Sequence, residues 1–107
     1  MTLQQEESPI DHEIVNELVA LTPETWRRVA LEVEYSSGEH GKAFAHTIFN
    51  PDGLRDVVEP SELIYSATFR LQQVFRKYGG FWKKALYIVE VTGDGDVHYK
   101  VEFETEK

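Results

Sequence analysis

Apolar residues in this chain switch between two repeat lengths, and that switching restricts the folds open to it. Val97, Tyr99, Val101 and Phe103 fall at every second position against His98, Lys100, Glu102 and Glu104. Val29, Leu31, Val33 and Tyr35 do the same against Ala30, Glu32 and Glu34. A period of two places one set of side chains on each face of a strand, so both stretches read as strands with one buried and one wet side. Ile10, Ile14, Leu18 and Leu21 instead recur at steps of three and four, as do Ile64, Ala67, Leu71, Val74, Phe75 and Tyr78 with Leu63 at their edge. Those are the apolar stripes of two helices.

Punctuation residues set the limits of these elements. Ser8-Pro9 reads as an N-cap with proline at the first helical position, so the first helix is expected from there to Pro23, with residues 1–7 a flexible tail. Ser36 to Gly41 reads as a turn, and Lys42 to Phe49 as the returning strand of a hairpin whose inward face the pattern leaves unassigned. Asn50-Pro-Asp-Gly53 ends that strand, and Leu54 to Val58 is either a short edge strand or irregular. Pro60-Ser-Glu opens the long helix, which Gly79-Gly80 closes. A strand from Lys84 to Val91, the turn Gly93 to Asp96 and the final strand make a second hairpin.

Antiparallel hairpins with one apolar side require a covering layer. The expected fold is therefore a two-layer α+β domain: an antiparallel sheet of four or five strands, with the N-terminal and central helices on one face. A length of 107 residues suits one domain with one core. Trp26, Trp82, Leu31, Val33, Leu71, Phe75, Val101 and Phe103 are assigned to that core.

Eleven basic and nineteen acidic residues give a formal charge of −8. The acids gather at the ends: residues 1–24 carry six with no Lys or Arg, and residues 90–107 carry six against Lys100 and Lys107. Such a distribution opposes nucleic acid and anionic membranes as direct ligands and favours a basic partner. The chain has no cysteine, as expected in a reducing cytoplasm. A start without basic and apolar regions, and the lack of any apolar run near ~20 residues, agree with a soluble cytoplasmic protein.

Few motifs carry chemistry. Asp94-Gly-Asp96 lacks the spread of ligands and terminal glutamate of a calcium loop and reads as a hairpin turn. His12, His40, His46 and His98 show no paired metal spacing, although His46 and His98 could face one another across strands. Serine-nucleophile, phosphate-loop and dinucleotide motifs are absent, so neither enzyme chemistry nor a cofactor or metal is expected. Glu32, Glu34, Glu102 and Glu104 should share the wet face of the sheet with His98 and Lys100, where they form either an acidic recognition surface or an ordinary solvated face. Tyr65 and Phe69 form an i, i+4 pair off the apolar stripe of the long helix. The expectation is that the first helix covers them through Val15 and Val19; the alternative is an exposed aromatic ridge. Arg70, Arg76, Lys77, Lys83 and Lys84 lie where the helix dipole favours cations, and no nucleic-acid role is assigned to them.

The order of these pieces resembles the YezG-like immunity proteins of bacterial toxin systems. Pro23 and Trp26 ahead of the first strand, Ser61-Glu62 at the start of the long helix, Trp82 before the last hairpin, Thr92-Gly93 in its turn and the acidic aromatic strand Tyr99 to Glu104 all follow that family's order. The match runs over residues 8 to 105. It differs in the central helix, which is more basic and glutamine-bearing here and so moves an acidic contact toward the sheet and the Gly93–Asp96 turn.

The resemblance implies a non-catalytic inhibitor that binds a cognate toxin domain, often a basic nuclease. Its candidate contact residues are Glu32, Glu34, Asp94, Asp96, Glu102, Glu104, Tyr65 and Phe69, and its expected state is a monomer or weak homodimer. Two other readings stay open: a small ligand-binding or enzymatic domain using His46, His98 and nearby carboxylates, and a self-associating structural subunit.

Overall fold

A computed structural model describes residues 2–23, 25–38, 41–53 and 57–105, the side chains of 36–38 and 41–43 excepted. The elements run α1 (Leu3–Leu21), β1 (Arg28–Gly38), β2 (Gly41–Phe49), β3 (Val57–Val58), α2 (Glu62–Lys77), β4 (Trp82–Val91) and β5 (Val97–Thr105). The strands form one antiparallel sheet in the order β3-β2-β1-β4-β5. The two hairpins join through the β1–β4 pair, and both helices cover one face. This is the expected α+β fold, with a short fifth strand at the edge.

The first helix begins earlier than Ser8. Thr2 Oγ1 accepts from the Gln5 backbone N–H at 3.2 Å, and Gln5 Oε1 accepts from the Thr2 N–H at 2.9 Å. This reciprocal capping box satisfies two donors that a helix start leaves unpaired. Residues 3–7 are therefore helical rather than a tail, and Pro9 lies inside α1, where it removes one intrahelical N–H donor. Contacts farther along hold the early turns down: Lys77 Nζ lies 2.9 Å from Glu6 Oε1, and the Tyr78 hydroxyl donates to Glu6.

α1 runs antiparallel to α2. Arg70 meets Glu13 at 2.9 Å and the Ser61 hydroxyl donates to Glu17 at 2.5 Å. Ser61 also caps α2 by accepting from the Ile64 N–H. At the other end Gly79 adopts φ +82°, with its N–H on Arg76 O at 3.0 Å and the Gly80 N–H on Phe75 O at 2.8 Å. This closing motif places a left-handed residue just beyond the cap, where glycine avoids a Cβ penalty.

Ile10, Ile14, Val15 and Leu18 of α1 and Ile64, Ala67, Leu71 and Phe75 of α2 are buried against Val29, Leu31, Val33, Ile48, Trp82, Ala85, Tyr87 and Val89 of the sheet. Fully burying one such aliphatic or aromatic side chain stabilises by roughly 1.5–3 kcal/mol. Trp26, Val101 and Phe103 are only half-buried. For Val101 and Phe103 the reason is position, because β5 is an outer strand and cover reaches it from one side. β4 starts at Trp82 rather than Lys84, with an irregularity in its pairing to β5 between those residues.

The buried arc of α2 differs from its apolar stripe. Thr68 and Gln72 are buried, Val74 is half-buried, and Leu63 and Tyr78 are exposed. Gln72 is accommodated because its side-chain amide acts as a backbone partner. Its Nε2 donates to Trp82 O at 2.7 Å, and the Trp82 N–H donates to Oε1 at 3.2 Å. Tyr65 and Phe69 are not covered by α1. They are 48% and 56% exposed, because α1 lies along the opposite flank of α2 and sends Val15 into the core.

Candidate binding surfaces

The structure divides the candidate residues among three regions. Strand register places Glu32, Glu34, Glu102 and Glu104 on the outer face of the sheet, away from both helices. Glu34, Lys84 and Glu104 form one row across β1, β4 and β5, and Glu32, Leu86 and Glu102 form the next. The glutamates share a face, yet β4 separates them in pairs by two strand spacings, about 10 Å. Lys84 Nζ approaches Glu32 Oε1 at 3.3 Å and Lys83 Nζ approaches Glu104 at 3.4 Å. The acidic face is thus partly neutralised along its midline, and exposed pairs of this kind contribute little to stability.

Asp94 and Asp96 occupy the exposed β4–β5 turn, which is closed by Thr92 N–H to Asp96 O at 2.9 Å and Gly95 N–H to Thr92 O at 3.0 Å. Gly95 takes φ +88° there. Six strand positions, roughly 20 Å, separate this turn from the Glu32–Glu102 row. The aspartates therefore belong to a different surface from the glutamates.

Tyr65 and Phe69 lie on the helical side, next to a groove that the sequence pattern does not disclose. It has a volume of about 410 Å³ and is lined by Tyr35, Phe44, Phe69, Gln72, Gln73, Arg76 and Phe81. Tyr35 packs edge-on against Phe81 and Phe44, with centroid separations of 4.8 and 5.3 Å. The Arg76 guanidinium carbon sits 5.2 Å from the Phe81 ring centre, within cation–π range. His46 continues the wall: its ring meets Tyr65 at 4.7 Å and 81°, and its Nε2 lies 2.7 Å from Thr68 Oγ1. Burial holds the His46 imidazole below its ordinary pKa. The signals available in sequence were the adjacent Phe81-Trp82 and the ambiguous strand around Phe44; neither pointed to α2 as the opposite wall.

The histidine pair does not form. His46 faces the helices on β2, whereas His98 lies on the outer face of β5, with β1 and β4 between the two strands. No chemistry can use both at once. Among the described residues no group of three or more His, Asp or Glu could hold a metal ion. The cationic side chains late in α2 and in β4 also have partners: Glu13 for Arg70, Glu6 for Lys77, Glu104 for Lys83, Glu32 for Lys84 and Phe81 for Arg76.

A buried acidic cluster joins α1 to the sheet. Asp11 is 4% exposed and accepts a 2.5 Å hydrogen bond from the Tyr87 hydroxyl. Glu7, one turn earlier, is pushed up to about 8, first by desolvation and then by its hydrogen bond to Asp11 and that residue's charge. Burial first, and then Asp11, keeps the Tyr87 phenol protonated far into alkaline pH. A shifted carboxyl can mark a catalytic site; here Glu7 is half-buried on α1, and its partner Asp11 and the Tyr87 phenol are buried between the layers.

The fold and these surfaces define a two-layer α+β domain with an open sheet and an aromatic groove. No family model matches the chain, and no curated protein matches it. Among the described residues no helix is long and apolar enough to cross a membrane.

Proposed function

We propose that the chain is a cytoplasmic immunity protein: a non-catalytic binder that neutralises a cognate bacterial toxin domain, one whose basic cleft serves a nuclease. The observation that carries this reading is the pair of exposed aromatics, Tyr65 and Phe69, beside a groove walled by Tyr35, Phe44, Phe81 and Arg76. Tyr and Arg dominate the energetics of protein interfaces, and rigid aromatic walls lose little entropy when they are covered. The net charge of −8 supports a basic partner, because opposite fields raise association rates and oppose acidic competitors. The order of motifs shared with YezG-like proteins supplies the toxin as that partner.

Capture of neighbouring gene products by the full chain, repeated at low and high salt, tests the proposal. A tight complex with a basic toxin domain, together with survival of cells that co-express the two, is the expected result. If no toxin is captured and toxin-expressing cells still die, the immunity reading fails.

A further inference from the structure

Both outer strands of the sheet are open, but they are not equivalent. β5 carries His98, Lys100, Glu102 and Glu104, and charged residues discourage further strand pairing. β2 is different. β3 pairs only with Ile48 and Phe49, so among the described residues the free side of β2 is unpaired from Gly41 to Thr47. Lys42, at its start, is the one Lys, Arg, Asp or Glu in that stretch, and Ala43 to Phe49 carry none. Backbone N–H and C=O groups on such an edge can be satisfied fully by one kind of protein element, another extended chain.

We infer that the β2 edge accepts an extended strand of a partner protein whose residues alternate apolar and basic. The alternation follows from the two sides that the incoming strand would meet. On the helical side its neighbours are Phe44 and His46, and beyond them the exposed Tyr65 and Phe69. Apolar side chains seat there. On the outer side its neighbours are the small Ala45 and Thr47, which lie in register with Glu34 and Glu32 of β1. The incoming backbone would run about 10 Å from β1, so a Lys or Arg side chain reaches over Ala45 to Glu34, or over Thr47 to Glu32, where it shares that carboxylate with Lys84. A second copy of this chain fits poorly: it brings −8 against −8, and β2 itself presents Ala45 and Thr47 where the glutamates call for cations. The inference rests on the reading of the chain as a binding module and does not require the partner to be a toxin.

The test uses the full chain and a capped synthetic peptide of about nine residues, a common strand length, that alternates valine with lysine. Two further versions are N-methylated at one or the other alternating set of amides. The expected result is slowed hydrogen exchange at backbone amides of residues 44–47. One methylated set should abolish binding and the other leave it within about twofold, because every second amide faces the edge. Glu32→Gln with Glu34→Gln should weaken binding by up to about fivefold per exposed pair removed.

Equal binding of both methylated peptides, protection confined to β5, or no slowing of β2 amides at about 1 mM peptide overturns the inference. Self-association that protects β2 without peptide also overturns it, in favour of a second copy. Toxin capture without strand binding would sink this inference and leave immunity standing; strand binding with no toxin captured would do the reverse.

Discussion

Tyr87 on β4 and Asp11 on α1 are joined by a 2.5 Å hydrogen bond between a 0% exposed phenol and a 4% exposed carboxylate. The bond ties α1 to the sheet at a buried point, beside the apolar contacts of Ile10, Ile14 and Leu18. Removing the donor leaves a buried carboxylate without its phenol. Tyr87→Phe should therefore cost about 2–4 kcal/mol, measured by urea unfolding. Adding Asp11→Asn should recover part of the loss, since the two changes act on one interaction. A Tyr87→Phe change below about 0.5 kcal/mol would show that the bond is not structural.

Glu7 gives stability an unusual pH dependence. Its folded-state value of about 8 lies above its ordinary 4.5, so between those limits the folded chain holds a proton that the unfolded chain has released. Its contribution is fully present below the unfolded value and is lost as pH rises through about 8. The charged group acting on it is Asp11 on its own helix, and Glu7 in turn helps to raise Tyr87 and Tyr99 of the sheet. Glu7→Gln should flatten the fall in unfolding free energy from about pH 5 to 8. An unchanged slope in chemical denaturation across that range would rule out Glu7 as its source.

Gln72 is buried to serve the backbone of Trp82. Gln72→Leu keeps similar volume but leaves one N–H and one C=O unpaired at the start of β4. The expected loss is about 2–4 kcal/mol. Exchange of the Trp82 amide should quicken more than that of the Val89 amide, a local signature that general destabilisation would not give.

Phe69 and Tyr65 should separate binding from stability. Their exposure limits the folding cost of Phe69→Ala or Tyr65→Ala to about 1 kcal/mol, whereas partner affinity should fall about 30-fold or more, the equivalent of about 2 kcal/mol. Leu71→Ala, buried on the same helix, should instead cost about 2–5 kcal/mol of folding stability. Calorimetry with the captured partner and urea unfolding measure the two quantities. Unchanged affinity in both aromatic variants would move the interface away from α2.

Local pattern made the architecture legible. Period-two alternation identified β1 and β5, period-3.6 stripes identified both helices, and Ser61 and Gly79 marked the limits of α2 through capping chemistry that involves only neighbouring residues. The start of α1 lies ahead of the strong local signal Ser8-Pro9, because the capping box of Thr2 and Gln5 is weaker in composition and is reinforced by Lys77 and Tyr78, which are remote in sequence. Tyr65 and Phe69 were legible as a pair but not as exposed, since a helical wheel does not tell which flank a second helix will occupy.

What the sequence determined by itself is therefore the two helices and the four longer strands, the polarity of β1 and β5, and the single outward face that holds Glu32, Glu34, Glu102 and Glu104. Periodicity and caps depend on residues a few positions apart, and those the chain states directly. Tertiary structure alone decided the strand order, which sets β4 with its lysines between the glutamates, sends His46 and His98 to opposite faces, and brings Phe44, Phe69 and Phe81 together around one groove. Those outcomes depend on pairing between distant segments, where many arrangements bury similar apolar area and the choice falls to the packing of the whole core.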